Sequence, residues 1–254
     1  MIKLKDIAVE KQIEPYKILI YGEPGVGKTT LASLFDNPLF IDTENSTSRL
    51  KVARLLPKSR SQLNDCLMQV YQEEHDFKTL VIDTLSGVEE IFKNAICMEY
   101  EAEGIDDQKK LRYGRGYTLL AEYFERLFVQ LDNIRKAKGI NIVMLGHSKV
   151  VKIEKPDQLP YDQYQPKLTG KASDYVISNV ENIFFINHVA NKDQNNKAVS
   201  MRRLLYTKST GAMIAKNRLP ALASTYDLTE VDLLKSGGAK MKAFIKDYNS
   251  LWLQ

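Results

Sequence analysis

The stretch Gly22-Glu23-Pro24-Gly25-Val26-Gly27-Lys28-Thr29-Thr30 carries the most specific chemistry in this chain. Its spacing, G-x-x-x-x-G-K-[ST], suits a loop that holds a triphosphate. The glycines let backbone N–H groups turn inward on phosphate oxygens, and the helix that follows directs its positive end at the same anion. Lys28 would neutralise the β- and γ-phosphates, and Thr29 would offer its hydroxyl to Mg²⁺. ATP and Mg²⁺ are the expected ligands. A second element is Leu80-Val81-Ile82-Asp83, an apolar run closing on one acid. A carboxylate at the end of a buried strand beside such a loop can hold Mg²⁺, directly or through its water shell. Thr29 and Asp83 are thus the expected metal residues.

These groups need a scaffold, and the pattern supplies one. Lys17–Tyr21, Pro38–Asp42, Thr79–Asp83 and Ile140–Leu145 are short apolar runs that read as buried strands. Leu31–Phe35, Ser61–Glu74, Ser86–Tyr100 and Leu119–Lys138 carry apolar residues at helical spacing. Strands alternating with helices predict an α/β P-loop NTPase fold, a mostly parallel central sheet flanked by helices. Residues 148–170 hold three prolines and no helical period, and read as a long loop. Glu181–Val189 and Met201–Lys208 read as a C-terminal β-hairpin extension, turning over Asn191–Lys197. Two weak helical patterns around Gly237-Gly238 suggest a boundary, with a core at 1–220 and a helical extension at 221–254.

Composition excludes several classes. With 44% hydrophobic and 27% charged residues, the 254-residue chain is not disordered as its main state. No apolar run reaches the ~18 residues that span a bilayer. Met1–Asp6 lacks the apolar core of a secretory signal, so a cytoplasmic protein is expected. Cys66 and Cys97 belong to no metal-binding spacing and read as buried small residues in a reducing compartment. The net charge of +4 is unevenly spread: residues 146–220 hold twelve cations against six acids, which leaves the rest slightly acidic. A polyanionic partner is permitted there.

The whole pattern resembles the RecA-type ATPases, and most closely a phage-encoded group of short RecA-like ATP-binding proteins of single-strand annealing and recombination. Phe40-Ile41-Asp42-Thr43-Glu44 carries the resemblance first, then Leu145-Gly146-His147-Ser148, Leu168–Ser173 and Ala215-Lys216-Asn217-Arg218-Leu219-Pro220. It implies that Glu44 polarises the attacking water and that His147 senses the γ-phosphate, with a merely structural histidine as the alternative. It implies that Lys216 and Arg218 reach a neighbour's ATP site, as cations placed where charge develops on the transferred phosphoryl group. The alternative for that pair is two solvated cations. AAA+ proteins place the base directly after the strand-end Asp; here Thr84 follows Asp83, which disfavours that type.

The resemblance also places two DNA-gripping loops. The first is Lys109-Lys110-Leu111-Arg112-Tyr113-Gly114-Arg115-Gly116-Tyr117, with four cations and two tyrosines in nine residues. Cations track phosphate and tyrosines offer stacking faces. The second is the 148–170 stretch, with Lys149, Lys152, Lys155, Tyr161 and Tyr164. An ordinary helix end and an ordinary loop are the plainer readings. The expectation is an ATPase that binds single-stranded DNA, assembles with itself into a ring or filament, and works beside a single-strand binding protein, without a membrane. A nucleotide-gated loader and a P-loop kinase or small-molecule NTPase are the alternatives.

Overall fold

The structure is a computed structural model. It describes residues 14–192, 198–219, 222–229 and 238–252. A nine-stranded sheet runs in the order β3-β2-β4-β5-β1-β7-β8-β9, with β6 paired to β5 off that path. The parallel part is β1 (Lys17–Gly22), β2 (Pro38–Asp42), β3 (Ala53–Leu55), β4 (Thr79–Asp83), the first half of β5 (Asn141–Lys155) and β7 (Asn182–Lys192). The antiparallel part is β6 (Gln158–Pro166), β8 (Ala198–Tyr206) and β9 (Thr225–Asp227).

The central strands are apolar throughout because both faces of the sheet are covered. Leu19, Tyr21, Leu80, Ile82, Ile142, Met144, Ile183 and Phe185 point to one face. There they meet α2 (Arg60–Gln72), α3 (Leu85–Tyr100), α4 (Arg115–Lys138) and α5 (Gly170–Asn179). Ile18, Ile20, Val81, Val143, Leu145, Phe184 and Ile186 point to the other face. They meet α1 (Lys28–Ala32) and α6 (Ala239–Trp252). The expected P-loop NTPase architecture is present, with β7 and β8 forming the expected hairpin.

Four expectations need correction. The 148–170 stretch is not a loop: β5 continues to Lys155, turns at Pro156-Asp157 and returns as β6. Val150, Val151 and Ile153 favour an extended backbone, and Pro160 and Pro166 are tolerated because β6 is an edge strand. The basic 109–117 stretch is only half loop, since α4 begins at Arg115, after a 3-10 turn at Arg112–Gly114. The 221–254 stretch is not purely helical: β9 joins the sheet beside β8, and α6 is one helix seated on the core. The cysteines are free but only partly buried. The Asn191–Lys197 turn lies mostly outside the described residues, as do Met1–Asp6 and Gly237.

Candidate nucleotide site

The register puts the expected site residues at one end of the sheet. Asp42 pairs with Asp83, Asp83 with Leu145, and Gly22 with both His147 and Ile186. Gly22, Asp42 and Asp83 end their strands, and His147 and Ile186 lie level with Gly22 on longer ones; this is the carboxyl side of the parallel sheet, where loops converge around a ligand. Gly22 is required where β1 meets β7, because a Cβ there would collide with the Ile186 carbonyl. Gly27 adopts φ +98°, a left-handed conformation that favours glycine, and opens α1.

Lys28 is buried and donates to the carbonyls of Gly22 (3.0 Å) and Glu23 (2.9 Å). Burial pushes its ammonium below the usual lysine range, and the charges of Asp83, Glu44 and Glu23 oppose that shift. Thr29 Oγ1 donates to Asp83 Oδ2 at 2.8 Å, and Ser46 Oγ donates to the same oxygen at 2.6 Å. Burial raises the Asp83 carboxyl above the usual range, and the Asp42 and Glu44 charges add to it. A hydroxyl beside a buried carboxylate is an all-oxygen donor set. It fits Mg²⁺, which takes one or two protein oxygens and completes its shell with phosphate and water. Among the described residues no larger His/Cys/Asp/Glu cluster offers another metal site.

Glu44 lies beside this pair. Its Oε1 accepts from Thr84 Oγ1 at 2.6 Å, and its Oε2 is 3.3 Å from His147 Nε2. The His147 hydrogen bond is the main reason its carboxyl lies below the usual range; burial opposes it. Thr84 does a second task. It is the N-cap of α3 and accepts from the Gly87 amide at 3.1 Å. The same hydroxyl thus fixes a helix start and aims Glu44.

Sequence reasoning missed several supports of this site. Asp42 is fully buried. Burial pushes its carboxyl up, but the Thr47 hydroxyl and the Thr47, Ser46 and Glu44 amides outweigh that and bring it below the usual range. It thereby shapes the loop that carries Glu44 and Ser46. A strand ending in an acid, with Ser and Thr four and five residues on, was the available signal. Beside the site lies a cleft of about 800 Å³, lined in part by Glu44, His147, Lys58, Lys149, Lys167 and Thr169.

The DNA candidates divide. Lys109, Lys110, Arg112, Tyr113 and Arg115 are exposed, Tyr113 at 99%. Lys110 pairs with Glu101 at 3.3 Å, and the Arg115 guanidinium lies 5.1 Å from the Tyr100 ring centre. On the hairpin, Lys152 and Lys155 are exposed, and Lys155 lies 5.7 Å from the Tyr161 ring centre. Lys149 is spent on the Leu168 carbonyl, 2.7 Å away. Tyr164 is committed to the fold: its ring stacks on Phe185 with centres 4.9 Å apart, and its carbonyl accepts from Tyr21 Oη. Packing inside the sheet withdraws Tyr164 from any stacking surface. Lys171 Nζ at the start of α5 lies 3.5 Å from Thr118 Oγ1 in the first turn of α4.

Lys216 and Arg218 lie far from their own P-loop. Lys216 bridges to Ile183, near the amino end of β7 and opposite Leu19 rather than Gly22. Its ammonium caps α5, donating to the Val180 carbonyl at 2.7 Å. Burial lowers its pKa and the Arg218 charge adds to that. Arg218 is exposed.

Among curated proteins none matches the chain. No helix among the described residues is long and apolar enough to cross a membrane. Residues 14–219 match a family described as AAA domain. The disfavouring of an AAA assignment, drawn from Thr84 after Asp83, is therefore corrected at the level of the family. The local observation stands, with the nearby glutamate supplied by Glu44 instead. With its P-loop, strand-end Asp83 and match over four-fifths of its length, the chain belongs to the AAA domain family of P-loop ATPases.

Proposed function

We propose that this ATPase domain binds single-stranded DNA along the β5–β6 hairpin and the 109–115 segment. ATP turnover would serve phage-type strand annealing, recombination or replication. One observation carries the reading. His147 contacts Glu44 beside the nucleotide site and stands on β5 just before that strand leaves the sheet to form the β5–β6 hairpin, which carries Lys152 and Lys155. A change at Glu44 on nucleotide binding or hydrolysis therefore has a route through His147 and its strand into the hairpin. The cleft beside Glu44 and His147 is lined by lysines (Lys58, Lys93, Lys149, Lys167) and by the acids Glu89 and Glu90.

In the proposed reaction Lys28 exchanges two backbone carbonyls for phosphate oxygens. Thr29 and Asp83 would hold Mg²⁺, which offsets charge on the phosphate oxygens when bound. Glu44 takes one proton from water as the water oxygen bonds to the γ-phosphorus. The bond from that phosphorus to the bridging oxygen breaks, giving ADP and phosphate. Glu44 is a weak base while His147 holds its carboxyl low. The negative charge of a triphosphate raises it toward a useful range. Arg218, exposed at the opposite end of the sheet, is the group free to serve a neighbouring subunit.

The test is ATP hydrolysis across protein concentration, with and without single-stranded DNA. Stimulation by DNA is expected, with strand retention that falls steeply as salt rises. The double variant Lys152→Glu, Lys155→Glu should lose stimulation and keep its basal rate. Equal rates with and without DNA, and no retention at low salt, would sink the proposal.

A further inference from the structure

Neighbouring arginines on β8 have opposite fates. Arg202 is paired: its Nε and Nη2 donate to Asp227 Oδ2 at 3.2 and 2.9 Å. Arg203, on the other face of the strand, has Nε and Nη1 shut off from solvent and without a hydrogen-bond partner among the described residues. Leu205, two residues on, belongs to the cluster under α1 and α6, so Arg203 faces the P-loop side. The distances agree. A Cβ built on Gly27 would lie 3.5 Å from both Arg203 Nε and Cζ.

Arg203 as a whole is half-buried, but two guanidinium nitrogens withdrawn from water without an acceptor are costly, and native structures keep few such groups without a reason. Its surroundings hold it in place. The Arg203 amide donates to Thr229 Oγ1 at 2.8 Å, and its carbonyl accepts from the Leu228 amide at 2.7 Å. β8 also pairs Arg203 with His188, two residues past Ile186, which is level with Gly22. The side chain is therefore level with the phosphate loop and not with the strand below it. Its fork of planar donors suits phosphate oxygens.

We propose that Arg203 is a nucleotide-binding residue of its own subunit, donating to the α- and β-phosphate oxygens that ATP and ADP share. The side of approach sets which phosphates. Glu44 and His147 reach the site from the β2, β4 and β5 side of β1, where the attacking water belongs. Arg203 reaches it from the β7–β8 side. It is therefore a ground-state binding group and not a γ-phosphate finger. The inference rests on nucleotide occupying the P-loop and is independent of DNA.

The test is calorimetric titration of the full chain with Mg·ATP and with Mg·ADP, together with melting of the ligand-free protein. Arg203→Gln should weaken both nucleotides alike, by about tenfold or more, as expected for loss of a charge-assisted contact. Its KM for ATP should rise by a similar factor, the signature of lost uniform binding. Arg203→Lys, which keeps the charge and loses the fork, should fall between. Arg202→Gln should leave affinity unchanged. The ligand-free melting temperature of Arg203→Gln should not drop, because no partner is lost. Unchanged affinity in both Arg203 variants would overturn the proposal. So would a loss confined to ATP and accompanied by a fall in kcat, or a drop in ligand-free melting with ligand affinity intact. A wild-type protein that binds neither nucleotide would overturn the P-loop reading itself, an outcome distinct from wild-type binding that Arg203→Gln leaves untouched.

Discussion

The two flanks of the P-loop are finished differently. On the β2–β4–β5 flank the carboxylates are already bonded: Asp83 by Thr29 and Ser46, Glu44 by Thr84 and His147, Asp42 by its own loop. On the β7–β8 flank the Nε and Nη1 of Arg203 are buried without an acceptor among the described residues. The first flank has its side chains held in place by hydrogen bonds within the protein. The second is completed only by an anion. On the reading proposed above, catalysis falls on one side of β1 and an added hold on the nucleotide falls on the other.

The largest expected effect breaks that contrast on the catalytic side. Glu44→Gln should keep ATP affinity and lose hydrolysis by about 100-fold or more, the scale of general base catalysis. Single-turnover kinetics with bound ATP measures it, and normal turnover would move the base elsewhere. A smaller effect concerns the far end of the sheet. Arg218→Ala and Lys28→Ala should each be slow alone, and mixing them should recover part of the rate in steady-state assays. No recovery at any ratio argues against sites shared between subunits. The smallest effect separates the two arginines. Asp227 is held down to about 2, chiefly by the Thr229 hydroxyl, with the Thr229 amide, Arg202 and Lys240 contributing. Its folded-state value lies below the ordinary 3.8, so its contribution to stability is full above about pH 4 and is lost as pH falls toward 2. Asp227→Asn should flatten that part of the pH–melting curve and cost below about 1 kcal/mol at neutral pH, since the pair is partly exposed. Nucleotide affinity should not change.

Much of this was legible in the residues. The P-loop announces itself because few other spacings let a backbone turn around phosphate, and Asp83 follows from an apolar run that stops on an acid. The parallel strands were readable because burial on both faces removes polar positions altogether. The β5–β6 hairpin was not, because its prolines mimic loop punctuation and the alternation Val151-Lys152-Ile153-Glu154 is too short to stand out beside them. Tyr164 looked like a stacking residue by type, and only the pairing of β6 shows its ring against Phe185. Arg203 was the least legible. Period-two alternation puts one of two adjacent arginines on the inner face, but nothing local tells that the inner face there looks onto Gly27, 176 positions earlier in the chain.

The central place of β1 also governs how the molecule assembles. Its two neighbours in the sheet are β5 and β7, which begin at Asn141 and Asn182. Both edges of the strand that carries the phosphate loop thus remain open until most of the chain has been synthesised. Pairings across such sequence distances form slowly, and an apolar strand with two bare edges is prone to wrong association in the interval. A chain cut short before Asn182 would retain every residue of the phosphate loop and still lack the frame that shapes it.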